Sequence, residues 1–262
     1  MMFLNIVGTE LLKLRRSKVT WITFAAYSFM IVTAGFFMWM MKNPGAAASL
    51  GLLGQKASLS LGGQKADWPS FLSFVVMMGG IGGLIVCSII AAYVFGREYA
   101  EGTAKNQLAL PVARTSFVLA KTIVTSAWFA VLTLWIIPLS WLVGMGVGLP
   151  GLPIELLLHT AAKLLVLALF CLCCAVLVGW VAVETRGYFA PLGFSIFTLV
   201  LGSVFGHTGW GPWVPWTIVG LYSGAAGPGV TPGWGSFAVM AGTFLVGIAL
   251  TSRHEVFADN GQ

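Results

Sequence analysis

The sequence predicts an all-α polytopic membrane protein, with six transmembrane helices preceded by an N-terminal interfacial amphipathic helix. Of the 262 residues, 58% are hydrophobic and only 8% are charged, against about 25% charged in an average soluble domain. The mean hydropathy of +0.92 agrees with this. So few charges do not cover the surface of a soluble protein of this size. The composition therefore argues against a soluble enzyme, a nucleic-acid-binding protein and a disordered chain.

Residues 2–17 have the spacing of an amphipathic helix that lies on the membrane. Apolar residues recur on one side, whereas the other side is largely polar. The apolar set is Phe3, Ile6, Val7, Leu11 and Leu14, and the polar set is Asn5, Thr9, Glu10, Lys13 and Arg16. The positive charges follow the apolar residues, which is not the order of a signal peptide. We expect an interfacial helix with its basic end near anionic headgroups.

Six apolar runs approach or exceed the roughly 20 residues that a bilayer-spanning helix needs. They cover residues 19–41, 70–95, 116–145, 156–183, 188–205 and 233–251. Because these runs fill most of the sequence, we expect a single transmembrane domain over residues 1–262 and no separate soluble domain.

The positions of lysine and arginine predict the orientation of the chain in the membrane. With the N-terminus inside, most of the fourteen positive residues fall on the cytoplasmic side. These are Lys13, Arg15, Arg16, Lys18, Arg97, Lys105, Arg114, Lys121, Arg186 and Arg253. Lys42, Lys56 and Lys65 fall outside, and Lys163 lies within the fourth run. We therefore expect a multi-pass protein with both termini in the cytoplasm.

The two longer outer segments differ in character. Residues 43–68 are rich in small residues and predict a mobile loop with room for a short helix. The loop ends in a helix start capped by Asp67 and followed by an interfacial Trp68. Residues 207–234 contain no charged side chain and many aromatic, Gly and Pro residues. We expect this second segment in the outer interface, with residues 213–222 as a short re-entrant helix.

The polar segment 96–114, between the second and third runs, is the most informative part of the sequence. Gly102 is suited to end one helix, and Thr103 to cap another that runs through Leu110 until Pro111 stops it. The pattern predicts a short cytoplasmic helix along the membrane surface. The alternative is a charged connecting loop.

This segment resembles the first cytoplasmic loop of type-2 ATP-binding-cassette (ABC) exporter permeases. The resemblance is carried by Glu98-x-x-x-Gly102-Thr103, by Pro111-x-x-Arg114 and by Lys121. The run from Glu10 to Ser17 is similar to the N-terminal elbow helix of these permeases, and Pro212-Trp213-x-Pro215 to their outer loop. Within the family, the sequence is similar to small bacterial permeases of the bacitracin, lantibiotic-immunity and sodium- or copper-linked types, and the choice among these subgroups stays open.

The resemblance implies a transmembrane subunit of the bacterial cytoplasmic membrane that pairs with a second permease and docks onto two ABC ATPase subunits. The second permease is either an identical copy or a sister chain. The short helix after the second span is then the coupling helix, and the ATPase-coupling role falls on Glu98, Glu101, Gly102, Thr103, Lys105 and Gln107. The membrane-anchoring role falls on Lys13, Arg15, Arg16, Lys18, Arg114 and Lys121.

ATP hydrolysis is expected on a separate chain. The sequence contains no Gly-x-x-x-x-Gly-Lys-Ser/Thr phosphate-binding loop. We therefore expect no cofactor on this chain, with ATP and Mg bound by the partner ATPase. The composition and the spread of the positive charges give no reason to expect nucleic acid among the partners.

The resemblance implies that the second and fifth spans line the pathway, where Phe74, Met78, Phe194 and Phe197 are candidate lining residues. Phenylalanine and methionine surfaces suit bulky amphipathic molecules. The glycines of the run from Gly79 to Gly83 let a helix bend or let two helices approach closely. Ordinary small-residue packing is the alternative for these glycines.

Other polar groups offer weaker candidates for chemistry. Glu155, His159 and Lys163 share one face of the fourth helix, either as a substrate or proton site or as a helix start in the headgroups. The four cysteines all lie in apolar runs, where packing is favoured over a soft-metal site.

The sequence therefore predicts a permease that moves an amphipathic, peptide-like or lipid-like compound. Two other classes stay open: a membrane scaffold or sensor that binds a cytoplasmic partner without transport, and an intramembrane lipid-modifying enzyme.

Overall fold

A computed structural model describes residues 2–51, 66–103, 114–151, 154–225, 227 and 232–257. All regular elements in these ranges are helices. In chain order they are α1 (Met2–Arg15), α2 (Lys18–Lys42), α3 (Pro44–Ser49), α4 (Trp68–Ala100), α5 (Arg114–Gly146), α6 (Ile154–Glu184), α7 (Phe189–Phe205), a 3-10 turn (Gly211–Trp213), α8 (Pro215–Ser223) and α9 (Trp234–Phe257). An all-helical protein is thus confirmed for the part of the chain that the structure describes.

Five of these helices are long and apolar enough to cross a membrane: α2, α4, α5, α6 and α9. They coincide with five of the six predicted spans. The remaining run, predicted over 188–205, forms only the 17-residue helix α7. At 1.5 Å per residue this helix is about 25 Å long, which is less than the roughly 30 Å of a bilayer core. Six full-length spans are therefore not what the described helices show.

The helix after α7 returns into the bundle. Five of the nine residues of α8 are buried, and its Ser223 lies directly beside Gly80, in the middle of α4. The Thr217 hydroxyl donates to the carbonyl of Gly202 on α7 at 3.1 Å, which joins the two short helices. The short helix predicted at residues 213–222 is confirmed, with an observed range of Pro215–Ser223.

Helix α4 is the most buried span, and its glycines explain how close its neighbours come. A Cβ added to Gly79 would lie 2.5 Å from Leu164 of α6, and one added to Gly80 would lie 2.6 Å from Ser223. Met30 of α2 occupies the corresponding space beside Gly82. The Gly79–Gly83 run therefore packs closely against other helices of this subunit, which is the ordinary small-residue packing given as its alternative role.

The start of α4 follows the predicted pattern with one difference. The Asp67 carboxylate accepts a hydrogen bond from the backbone N–H of Ser70 at 3.0 Å, as expected for a cap. Trp68, however, is buried at 2% exposure, and its ring fills the space beside Gly144 of α5. The prediction of an interfacial Trp68 is therefore wrong, because the missing side chain of Gly144 opens a slot for the indole.

Contacts between helix ends place both ends of the described chain at the same end of the bundle. Lys13 of α1 reaches Glu98 at the end of α4, and Glu184 at the end of α6 lies 3.6 Å from His254 near the end of α9. At the opposite end, the Lys42 ammonium donates to the carbonyls of Val147 and Gly148, at 3.0 and 2.6 Å. The end that holds α1 is called the basic end below.

Helix α1 is turned differently from the prediction. Glu10, expected on the polar side, is 6% exposed and faces the bundle together with Leu14. Leu4, Leu11 and Leu12 are exposed instead. The inward position of Glu10 has a physical cause, since the ammonium of Lys13 contacts its carboxylate there.

Candidate functional site

Four charged side chains from three helices meet inside the basic end of the bundle. The Lys121 ammonium of α5 donates to Glu98 Oε2 at 2.6 Å, and the Lys13 ammonium of α1 donates to Glu98 Oε1 at 2.8 Å. Lys13 also contacts Glu10 Oε1 at 2.5 Å. We call Glu10, Lys13, Glu98 and Lys121 the ion cluster. It ties α1, the end of α4 and the start of α5 to one carboxylate.

The ion cluster is balanced in charge, and all its members except the half-buried Lys13 are buried. Glu98 is 4% exposed and Lys121 1%, so water does not solvate either charge well. Two ammonium groups face two carboxylates, which compensates the cost of removing each charge from water. Burial lowers the pKa of Lys13, but its hydrogen bonds to Glu10 and Glu98 outweigh this and raise the pKa above its ordinary value. Lys13 is therefore charged at neutral pH.

The backbone at the end of α4 places Glu98 next to an exposed corner. Gly102 has a φ of +70°, its N–H donates to the carbonyl of Tyr99, and the Thr103 N–H donates to the carbonyl of Glu98 at 2.9 Å. This is the Schellman end of a helix, in which a glycine takes the left-handed position. The prediction that Gly102 ends a helix is confirmed.

The exposed side of this corner carries a second, weaker ion pair. Arg97 Nε donates to both carboxylate oxygens of Glu101 at 3.1 Å, and the Arg97 guanidinium lies over the Tyr93 ring. The side chain of Glu101 is 45% exposed, and Gly102 and Thr103 are exposed as well. We call residues 101–103 the α4 corner.

The predicted ATPase-coupling residues fall into three groups. Glu101, Gly102 and Thr103 form the exposed α4 corner. Glu98 lies beneath it, and its carboxylate faces Lys13 and Lys121 rather than solvent. Lys105 and Gln107, with the rest of the predicted coupling helix, lie outside the described residues. The coupling role itself stays a prediction.

The predicted membrane anchors separate in the same way. Arg15, Arg16 and Lys18 are exposed at the junction of α1 and α2, and Arg114 is half-buried at the start of α5. Lys13 and Lys121 instead face protein carboxylates. The ammonium of Lys121 therefore does not face lipid phosphates, because Glu98 holds it inside the bundle.

The four predicted lining residues have different surroundings. Phe74 and Met78 are half-buried on α4. On α7, Phe194 packs edge-to-face against Trp216 of α8 with ring centroids 5.7 Å apart. Phe197 is 60% exposed. Their role in a pathway stays a prediction.

The weaker candidates gain no support from the described residues. Glu155 and His159 are exposed, and no ion pair joins them or Lys163 within the described ranges. The described residues contain no group of three or more His, Cys, Asp or Glu side chains that could hold a metal ion. Cys171 contacts the carbonyl of Gly80 at 3.7 Å, which is a packing role.

Sequence reasoning missed the ion cluster, although one signal pointed to it. Lys121 is the second charge of α5, two turns into an otherwise apolar start, and a lysine at such depth pairs with an acid on a neighbouring helix. Glu98 was its natural partner, since both lie near the same end of adjacent spans. The inward turn of Glu10 had no comparable signal in the sequence.

Comparison with known proteins identifies a family and a relative. The sequence matches the family described as ABC-2 family transporter protein over residues 6–202. It is also similar to the bacitracin transport permease protein BCRB of Bacillus licheniformis, with 29% identity over 172 residues, which cover 64% of this chain and 81% of that protein. The family match includes most of α1, all of α2 through α6 and most of α7, and with them the ion cluster and the α4 corner.

Proposed function

The chain belongs to the ABC-2 family of transporter proteins and is thus a membrane subunit of an ABC transporter, and we propose that it couples ATP hydrolysis on a partner to export. Membership of the family implies association with ABC ATPase subunits. In the proposed assembly two ATPase subunits bind ATP and Mg, and this chain pairs with an identical or a sister permease. The assembly lies in a bacterial cytoplasmic membrane with the basic end inside.

The single observation that supports this mechanism is the position of the ion cluster directly beneath the α4 corner. The corner is exposed and suited to contact another protein. Glu98 lies one helical turn before the corner and accepts hydrogen bonds from Lys121 of α5 and Lys13 of α1. A displacement of the corner would therefore move the ends of two spans and the N-terminal helix together.

Exposure and charge favour Glu101 as the contact with the ATPase. Its carboxylate is the outermost acidic group of the corner, and its bond to Arg97 holds it in place. An exposed ion pair four residues apart on a helix contributes only about 0.3–0.5 kcal/mol. Changing Glu101 therefore alters the docking surface without threatening the fold.

The test is Glu101→Arg in the permease reconstituted with its ATPase. We expect ATP hydrolysis that no longer responds to substrate, together with loss of transport, in a protein that still folds. Glu155→Arg is the matched control, since Glu155 is also exposed but lies at the start of α6, away from the basic end. Unchanged substrate-stimulated hydrolysis in Glu101→Arg would overturn the assignment.

We propose an amphipathic, peptide-like or lipid-like compound as the substrate, and a role in antibiotic resistance. Support comes from the name of the relative, a bacitracin transport permease, and from the phenylalanine and methionine side chains at the candidate lining positions. Stimulation of ATP hydrolysis by bacitracin in reconstituted vesicles, compared with a hydrophilic peptide of similar size, tests this choice. Stimulation by the hydrophilic peptide alone would contradict it.

A further inference from the structure

A cationic cavity lies between α1 and α4 at the basic end, on the outer side of the ion cluster. Its volume is about 420 Å³, within the roughly 300–1,000 Å³ of small-molecule pockets. The lining residues are Thr9, Leu12, Lys13, Arg16, Ser17, Tyr93 and Arg97. We call this the headgroup cavity. Three of its seven lining residues are cations and none is an acid.

The cations of this cavity come from both helices and keep donors available. Arg97 uses only Nε for Glu101, so both of its Nη groups have no partner among the described residues. Tyr93 lies one turn earlier on α4 and supports the guanidinium with its ring, 5.8 Å from centroid to Cζ. Arg16, in the turn between α1 and α2, makes no ion pair with a described residue. The two guanidinium groups thus offer planar pairs of donors suited to a phosphate.

The nearby carboxylates neutralise only part of the positive charge of the cavity. Glu10 and Glu98 meet Lys13 from the inside of the bundle, and Glu101 meets Arg97. Arg15 and Lys18 add further positive charge along the same junction. An anion is therefore the ligand that the electrostatics of the cavity favour.

The surroundings of the cavity place it at the level of lipid headgroups. It lies at the corner where α1 leads into the transmembrane helix α2. Leu12, which lines it, is 52% exposed, Leu11 beside it is 46% exposed, and Trp21 on the next turn is 72% exposed. Exposed leucines and a tryptophan at the end of a span are typical of contact with acyl chains and the interface.

We propose that the headgroup cavity binds the phosphate of one anionic phospholipid from the inner leaflet, held by Arg16 and Arg97 with Lys13 behind them. A lipid in this position would bridge the α1–α2 junction to α4, beside the contact that Lys13 and Glu98 already make between α1 and α4. This site goes beyond the proposed transport function, and its existence does not depend on which compound the protein exports.

The test uses the full-length permease in a neutral detergent, with phosphatidylglycerol and phosphatidylcholine as probes and native mass spectrometry as the readout. We expect one phosphatidylglycerol to bind in preference to phosphatidylcholine. Arg16→Gln should weaken its binding roughly tenfold, which is the effect of losing one hydrogen-bonded charge. Arg15→Gln is the matched control, because it removes the same charge one residue away, outside the cavity.

Three results would overturn the proposal. Equal losses in Arg16→Gln and Arg15→Gln would show a diffuse attraction rather than a site. Inorganic phosphate that displaces phosphatidylglycerol at similar concentration would make free phosphate the ligand. Loss of ATPase binding in Arg16→Gln with unchanged lipid binding would assign the cavity to an acidic segment of the partner.

Discussion

Glu98 contacts two lysines, whereas Glu10, the other carboxylate of the ion cluster, contacts one. Glu98 receives hydrogen bonds from Lys121 and Lys13 at 2.6 and 2.8 Å, in surroundings from which water is largely excluded. Glu101, one turn later on the same helix, binds a single arginine at the surface. The two glutamates therefore separate a structural charge from an accessible one.

This difference predicts unequal effects of the same substitution. Glu98→Gln removes the carboxylate that the buried Lys121 ammonium contacts, and we expect the free energy of unfolding to fall by about 3–5 kcal/mol. Glu101→Gln should change it by no more than about 0.5 kcal/mol, because its pair is exposed. Unfolding of both variants in lipid-containing micelles measures the difference.

A substitution of Lys121, the residue that pairs with Glu98, provides a further control. In the double variant Glu98→Gln/Lys121→Met, one buried ammonium is removed together with the carboxylate, so stability should partly return. Similar losses in Glu98→Gln and Glu101→Gln would show that the cluster is more hydrated than its burial indicates.

Glycines let neighbouring helices of this protein pack closely against each other. Helix α4 meets α6, α2 and α8 along its glycines, and its end meets the turn between α6 and α7. There, a Cβ on Gly96 would lie 2.7 Å from the carbonyl oxygen of Gly187. Because that neighbour is backbone, it cannot rotate away as a flexible side chain would.

Gly96→Ala therefore tests the packing of this end of α4. We expect a loss of about 1–3 kcal/mol in the free energy of unfolding, as for other overpacked sites. Gly193→Ala is the matched control, since Gly193 is also helical but has nothing within 4 Å of the added carbon. It should be neutral or stabilising by up to about 1 kcal/mol. A thermal shift assay in detergent distinguishes the variants, and equal shifts would contradict the expectation.

Across the whole molecule, the contacts between helix ends agree with the distribution of charge. The ends of α1 and α9 lie with the ion cluster and most of the positive residues, whereas Lys42 and Trp68 lie at the other end. Positive residues favour the cytoplasmic side of a bacterial membrane. The structure thus brings Lys13, Arg97 and Lys121, three of the residues that the charge count assigned to the inside, to the same end of the bundle.

This arrangement predicts the outcome of reporter fusions. Green fluorescent protein joined to either terminus should be fluorescent, because it folds in the cytoplasm. Alkaline phosphatase joined after Gly51 should be active, because residues following α3 are expected outside. Active phosphatase at the C-terminus, or an inactive fusion after Gly51, would show that the orientation is the opposite one. Equal expression of the fusions, measured by immunoblotting, is the control.

The sequence by itself determined the helical class, five of the long helices, the cap at Asp67, the end of α4 at Gly102 and the short helix near Pro215. These features depend on composition and on neighbours within a few residues, so a single chain records them directly. The resemblance in segment 96–114 also indicated the family that the comparison with known proteins shows.

Only the tertiary structure decided which charges are buried together and which stay exposed. Glu10 and Lys121 belong to different helices, and nothing in their local spacing states that both approach Glu98. The burial of Trp68 beside Gly144 and the return of α8 to Gly80 are likewise meetings between distant parts of the chain. Periodicity shows which side of a helix is apolar, but the partner of each polar group depends on how the helices are rotated and packed.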